Sequence, residues 1–260
     1  MTAGGLVIDA VSFGYDGVPI LDEFHLTVRE GEFLCLLGPS GSGKSTLLRL
    51  LAGLENPRRG AIRWWDRPIA DPGIDRGVVF QDYSLFPWLS VADNVALAIA
   101  KAHPALNKAR RRALARDYLA QVGLAEAADK YPLELSGGMR QRGAIARALA
   151  LGSPMLLMDE PFGALDTLNR ARLQDLLLAV WQNATPRKTI VFVTHDIEEA
   201  LYLGDRVAVL GTIPARVIAD HAVPFERPRD RRQLFASAIF HRLREDIAEA
   251  LSADTLAHLN

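Results

Sequence analysis

Cysteine is almost absent. The 260-residue chain carries one, Cys35, so no disulfide can close within it, and a reducing compartment fits. A basic surplus is missing as well. The 30 Lys and Arg face 31 Asp and Glu, for a formal net charge of −1. Proteins built to hold nucleic acid take most of their non-specific affinity from neutralising phosphates, so this balance argues against a nucleic-acid partner. Lysine is scarce, 5 against 25 arginines. No apolar run approaches the roughly 18 residues of a membrane-spanning helix. Met1 to Ala10 has no basic stretch leading into an apolar one, so no signal peptide is expected. Internal repeats and low-complexity tracts are also missing. What remains is ordinary globular composition, 49% hydrophobic and 23% charged. A chain of this length buries about 70–75% of its unfolded surface without staples. If such a protein works at a membrane, another subunit holds it there.

The order of patterns predicts an α/β fold. Phe24, Leu26 and Val28 alternate with His25, Thr27 and Arg29, the period of a half-buried strand, and Asp16-Gly17 marks a turn before it. Phe33 to Leu37 is a continuous apolar run, as in a strand buried on both faces of a parallel sheet. A helix is expected from Thr46 to Gly53, and short strands at Ala61–Trp65 and Gly77–Phe80. From Ser90 to Leu151, Ala, Leu and Arg at helical spacing predict a helical subdomain, broken near Gly123 and Tyr131-Pro132. Strands return at Met155–Met158, Thr189–Thr194 and Arg206–Leu210, with a helix over Leu168–Trp181. Strand, helix, strand implies parallel pairing through crossovers. Val223–Arg232 reads as irregular, and Gln233–Leu251 as helical.

Three motifs carry chemistry. The first is Gly38, Pro39, Ser40, Gly41, Ser42, Gly43, Lys44, Ser45 and Thr46, which matches G-x-x-x-x-G-K-[ST]. Glycines let the backbone curl so that successive N–H groups point at anionic oxygens. Lys44 brings a cation to the β- and γ-phosphates, Ser45 offers a hydroxyl to Mg²⁺, and the following helix aims its positive end at the same place. The loop alone specifies nucleotide phosphate and no particular enzyme. The second motif is Met155-Leu-Leu-Met-Asp159-Glu160-Pro161, an apolar strand ending in two acids. Alone it also suits a charged strand end feeding a turn. Beside a phosphate loop, Asp159 suits Mg²⁺ and Glu160 suits a general base acting on water. The third is Leu135-Ser136-Gly137-Gly138-Met139-Arg140-Gln141-Arg142. Ser136 is a good N-cap. Two glycines in a first helical turn destabilise it by about 1 kcal/mol each relative to Ala, which makes sense if something must approach the backbone closely.

In this order and spacing, the three motifs resemble the ABC ATPase family over roughly Leu6 to Leu210. The resemblance implies a P-loop NTPase of the ABC type: a mixed, largely parallel core sheet with flanking helices, an antiparallel β subdomain and an α-helical subdomain. It implies an ATPase domain over 1–210, with the helical subdomain inserted at about 88–151, and a short, partly helical extension over 211–260. It places Tyr15 against adenine, Gln81 at Mg²⁺ and the γ-phosphate, and His195 as the switch histidine at the γ-phosphate. Asp166, in Ala164-Leu-Asp166, would face the partner subunit. Mg²⁺ would be held by Ser45, Gln81 and Asp159. Ser136, Gly137 and Gly138 of one protomer would complete the ATP site of the other, in a head-to-tail homodimer that closes on ATP.

The run Val79-Phe-Gln-Asp-Tyr-Ser-Leu-Phe-Pro-Trp-Leu-Ser-Val-Ala-Asp-Asn-Val95 is similar to the ATPase subunits of nitrate, sulfonate and taurine importers, as are Phe162–Asp166 and Pro224–Arg232. Gly211-Thr-Ile-Pro-Ala-Arg216 departs from that branch, where an Arg-Pro-Gly step is usual. The implied role is a peripheral subunit on the cytoplasmic face of the cell membrane, hydrolysing ATP to drive uptake of a small anionic solute. A separate membrane permease and an extracytoplasmic solute-binding protein would carry that solute. Tyr83–Leu89 is either the surface that receives the permease or filling for the helical core. An exporter subunit and a soluble non-transport ABC ATPase are the competing readings.

Overall fold

Alternation in the first thirty residues folds as the spacing predicts. In the computed structural model, which describes residues 4–163 and 165–258, β1 (Gly5–Tyr15) and β2 (Val18–Arg29) form an antiparallel hairpin. Phe24, Leu26 and Val28 are buried, while His25, Thr27 and Arg29 face solvent. The chain then passes through β3 (Phe33–Leu37), buried along its whole length, and α1 (Lys44–Leu51). β4 (Arg59–Trp64) and β5 (Arg67–Pro68) return to the first sheet, whose order is β2-β1-β4-β5. Sequence spacing placed α1 over Thr46–Gly53, but it begins at Lys44. Gly43 takes a left-handed φ of 85° as its N-cap, which turns the chain into the helix earlier than a side-chain cap would.

The chain divides into two compact units, one made of residues up to 72 together with 189 onward, the other of Gly73–Lys188. In the second unit β6 (Arg76–Val79) is followed by α2 (Val91–Ala102), α3 (Lys108–Gln121) and α4 (Gly137–Ala150), then β7 (Met155–Asp159) and α5 (Thr167–Asn183). β6 and β7 pair in parallel, ending at Val79↔Met158. The three helices close over a core that includes Val91, Val95, Ile99, Leu119, Leu124 and Ala146. Gly123, with a φ of 69°, and short turns of 3₁₀ helix at Ala125–Ala127 and Pro132–Glu134 separate α3 from α4.

Back in the first unit come β8 (Thr189–Thr194), α6 (Ile197–Leu203), β9 (Arg206–Leu210), β10 (Val217–Ala222), α7 (Arg231–Phe235) and α8 (Ala238–Ala257). β3 lies between β8 and β9, parallel to both. β10 pairs antiparallel with β9 and was not expected: its residues, Asp220 and His221 among them, are only partly buried and carry no strong alternation. Helix over Gln233–Leu251 appears as two helices. The break falls at Ser237, whose hydroxyl accepts from the Ile239 amide at 3.2 Å. Arg229 fastens this tail to the end of α6, its Nη1 donating to the carbonyls of Leu201, Tyr202 and Gly204. Cys35 is fully buried, and burial, aided by Glu199, pushes its thiol well up, so it is inert packing. No helix among the described residues is long and apolar enough to cross a membrane.

Candidate active site

Five apolar residues of β3 drive the chain through the core, and the phosphate loop begins where they end. Leu37 pairs with Thr194 of β8, so Gly38 and His195 leave neighbouring parallel strands at the same C-terminal edge. Such edges are where α/β sheets bind ligands. The loop is tightly backed. A Cβ at Gly38 would lie 2.7 Å from the Leu210 carbonyl oxygen. A Cβ at Gly43 would lie 2.9 Å from Ile20 Cγ2 and 3.5 Å from Ala215 Cβ, and its φ already excludes most side chains. Lys44 is buried, with Nζ donating to the carbonyls of Gly38 at 2.8 Å and Pro39 at 2.6 Å, and to Ser42 Oγ at 3.3 Å. Its charge is thereby held inside the curl. Ser40 and Ser45 are exposed, and Pro39 and Thr46 are half-buried.

Tyr15 ends β1, is 42% exposed, and stands edge-on to Phe13 at 5.0 Å. It pairs with Val18, and Ile20, the wall of Gly43, lies two residues further along β2. The A-side aromatic and the loop thus belong to one unit. His195 is exposed, and Asp196 beside it caps α6 by accepting from the Glu199 amide at 3.1 Å, as the spacing predicts.

The other predicted residues lie in the second unit. Gln81 follows β6 and Asp159 ends β7, so they leave the same edge of that parallel pair. Gln81 is exposed, Asp159 is buried to 8% exposure, and Glu160 is half-buried with a φ of 44°. A positive φ is costly for a glutamate and concentrates at functional sites. Ser136 caps α4, accepting from the Met139 amide at 3.3 Å. A Cβ at Gly138 would stand 2.7 Å from Leu165 Cδ2, and one at Gly137 would stand 3.5 Å from the Tyr83 hydroxyl. Gly138 therefore admits the Phe162–Asp166 segment, of which Ala164 lies outside the described residues. Asp166 is exposed and caps α5. The Asn169 amide and then the Asn169 side chain hold its carboxyl below the ordinary range.

Several residues bear on these sites without a sequence signal strong enough to find them. Gln141 is buried and its Nε2 donates to the Glu160 carbonyl at 3.4 Å. Asn94, fully buried, accepts from the Phe86 amide and donates to the carbonyls of Phe86, Leu89 and Ser90. Its one trace in the sequence is a polar residue on the apolar Val91–Val95–Ile99 face. Arg147 donates to the Ser84 carbonyl at 2.6 Å and lies 5.8 Å from the Phe86 ring centroid. Together they fix the Tyr83–Leu89 loop, for which the sequence left two readings. Leu85 turns inward, within 3.4 Å of where a Gly143 Cβ would be, while Phe86 is 37% and Trp88 70% exposed. Phe80, Phe86, Leu97, Ala98, Lys101 and Leu151 line an adjoining groove of about 420 Å³.

The oxygens expected to hold Mg²⁺, the Ser45 hydroxyl in the first unit and the Gln81 amide and Asp159 carboxylate in the second, are each of the hard type that this ion takes, and Ser45 and Gln81 face solvent. No group of three or more His, Cys, Asp and Glu able to cage a metal occurs among the described residues.

A family model described as ABC transporter matches residues 21–163. The bicarbonate transport ATP-binding protein CmpD of Synechocystis sp. is 45% identical over 226 residues, 86% of this chain and 79% of that protein. The nitrate import ATP-binding protein NrtD of Synechococcus elongatus is 45% identical over 232 residues, 89% of this chain and 84% of that one. Among solved structures, the dimeric post-hydrolysis state of the ATP-binding cassette MJ0796 bound to ADP and Pi superposes with a TM-score of 0.75. It is 33% identical, covering 85% of this chain and 100% of that one.

Proposed function

The chain belongs to the ABC transporter family, and from that premise we propose that it is the ATP-binding and ATP-hydrolysing subunit of an importer for a small anion. The observation that carries this reading is the phosphate loop itself. It is curled at the end of a fully buried strand, with Lys44 drawn into it and His195 at the same sheet edge.

The chemistry follows from the residues. When ATP enters, Lys44 exchanges backbone carbonyls for β- and γ-phosphate oxygens, and the loop amides and the N-terminus of α1 hold the same charge. Tyr15 stacks on adenine. Ser45, Gln81 and Asp159 would hold Mg²⁺, which when bound neutralises charge on the β- and γ-phosphates. Glu160 accepts a proton from water as its oxygen attacks the γ-phosphorus, and the bond to the β–γ bridging oxygen breaks, leaving ADP and phosphate. His195 donates to the γ-phosphate and reports its loss. Ser136, Gly137, Gly138 and Asp166 face a second copy, in the head-to-tail dimer that closes on ATP. Exposure of Ser136 and Asp166 supports that role.

Trp88, Phe86 and the groove beside them form an apolar surface that suits a short helix of a membrane permease. The ATPase is then peripheral, on the cytoplasmic face, with residues 1–210 as the ATPase domain and 211–260 as its extension. Nitrate and bicarbonate, the cargoes in the relatives' names, are both small planar anions, and they set the cargo class here. A solute-binding protein outside the membrane would select among them.

The test is a purification from native membranes in mild detergent. A multi-span protein is expected to co-purify, and Lys44→Ala is expected to lose ATP binding while keeping that partner. Recovery of soluble proteins or nucleic acid alone overturns the transport role. Unchanged ATP affinity in Lys44→Ala overturns the assignment of the loop.

A further inference from the structure

The phosphate loop is not supported by its own strand and helix alone. The end of β9 and the turn that follows it, residues 211–216, back it at one point each. Leu210, the last residue of β9, sets its carbonyl oxygen 2.7 Å from where a Cβ would project at Gly38. Ala215, in the turn, lies 3.5 Å from the corresponding point at Gly43. Ala215 also donates its amide to the Ile20 carbonyl at 2.7 Å and bridges to Leu21, and Ile20 is the nearer wall of Gly43. The first residue of the loop is thus backed by the end of β9, and the sixth by the turn and by the Ile20 that the turn holds.

That turn is in turn held by a single carboxylate. It closes on itself with the Gly211 amide donating to the Arg216 carbonyl at 3.0 Å. Among the described residues its other polar ties, Ala215 to Ile20 apart, end on Asp254. Oδ2 accepts from the Thr212 amide at 2.7 Å and the Thr212 hydroxyl at 3.1 Å, and Oδ1 accepts from Arg216 Nη2 at 3.1 Å. Asp254 lies in α8, over two hundred residues from the loop, and its side chain is 5% exposed. α8 is itself anchored by Phe240 and Ile247, both buried. Charge-assisted bonds from a rigid helix to a short turn are a means of presetting geometry.

We propose that Asp254 is a positioning residue for the phosphate loop: through the 211–216 turn, the C-terminal helix presets the curvature with which the loop receives phosphate. This gives the extension a function in nucleotide affinity. It rests on the loop's reading as an ATP site and adds a control of that site from outside it. A preformed loop spends less of its interaction energy on ordering when ligand binds, so loosening the turn weakens affinity.

The experiment uses the full chain. ATP affinity by titration calorimetry, KM and kcat for hydrolysis, and the thermal midpoint are measured for the wild type, Asp254→Ala, Asp254→Asn and Arg244→Ala. Arg244, also in α8, makes only an exposed pair with Glu198 and does not touch the turn. Asp254→Ala is expected to raise the Kd for ATP and the KM roughly three- to tenfold, with kcat little changed. Asp254→Asn keeps an acceptor for Thr212 and should fall between, while Arg244→Ala should match the wild type. A lowered midpoint with wild-type Kd and KM, measured well below that midpoint, makes Asp254 merely structural and overturns the proposal. If Asp254→Ala does not fold, Asp254→Asn and Thr212→Val carry the same comparison, and unaltered affinity in both overturns it. Absence of ATP binding by the wild type would instead overturn the reading of the site, and this inference with it.

Discussion

In the proposed mechanism, Glu160 is the residue on which turnover depends most sharply. It sits half-buried after a fully buried strand, with a φ of 44° that a glutamate adopts only when its surroundings impose it. Part of that imposition comes from Gln141, whose amide reaches its carbonyl. Glu160→Gln keeps size and hydrogen bonding but cannot take a proton. It should bind ATP as the wild type does, while hydrolysis falls by about 10²–10⁴-fold, the usual worth of a general base. The ATP-bound protein should then accumulate as a dimer in light scattering. Full turnover in that variant would remove Glu160 from its role. At the same scale the sequence read well. Ser136 caps α4 as its residue type suggested, because capping depends on bonds within three residues.

At the scale of an element, the loop after β6 shows how one buried side chain organises many exposed ones. Asn94 is fully buried in α2, and its amide satisfies backbone groups of Phe86, Leu89 and Ser90. Asn94→Ala would remove the side-chain partner of the Phe86 amide and the Leu89 carbonyl, a loss of about 1–3 kcal/mol that chemical denaturation would read directly. Secondary effects should appear in the loop and not in the phosphate site. Trp88, 70% exposed in that loop, contributes little to folding. Trp88→Ala should leave ATP binding by the isolated chain unchanged and reduce the permease recovered from native membranes several-fold. Equal recovery would move the docking surface elsewhere. Sequence spacing did not decide between core and surface here. Leu85 and Trp88 are both apolar and differ only in which way the folded loop turns them.

For the whole molecule, the tail carries a carboxylate whose loss to acid should be readable as stability. Burial works against the Asp254 charge, but the Thr212 amide and hydroxyl and then Arg216 outweigh it, so its carboxyl is held below the ordinary range. His258, 3.9 Å away at the cap of the same helix, adds to this when protonated. A carboxyl depressed in the folded state stabilises fully above its unfolded pKa, and that stability is lost as pH falls through the folded one. The gap in thermal midpoint between wild type and Asp254→Asn should therefore be constant near neutrality and shrink on acidification through the carboxylate range. A gap that widened with acid would reverse the sign and exclude a charged latch.

The sequence by itself determined the motifs. Gly38–Thr46, Asp159-Glu160 and Ser136–Gly138 are contiguous runs visible in composition and spacing, and their order, through its resemblance to the ABC ATPase family, suggested their roles. It also determined most strands and helices, since hydrophobic period is local. Only the tertiary structure decided what stands behind those runs. Ile20, Ala215 and Asp254 are unremarkable residues in three distant segments. The first two stand beside Gly43 and the third holds the turn that carries Ala215, an arrangement that exists because β3 lies beside β9 and Asp254 of α8 bonds the turn that follows. Long-range packing leaves no period in the chain, because a buried carboxylate or a small side chain at a wall is selected by the shape of its neighbours. β10 and the break at Ser237 escaped for the same reason: an edge strand with partly exposed polar residues is specified by its partner, not by its own alternation.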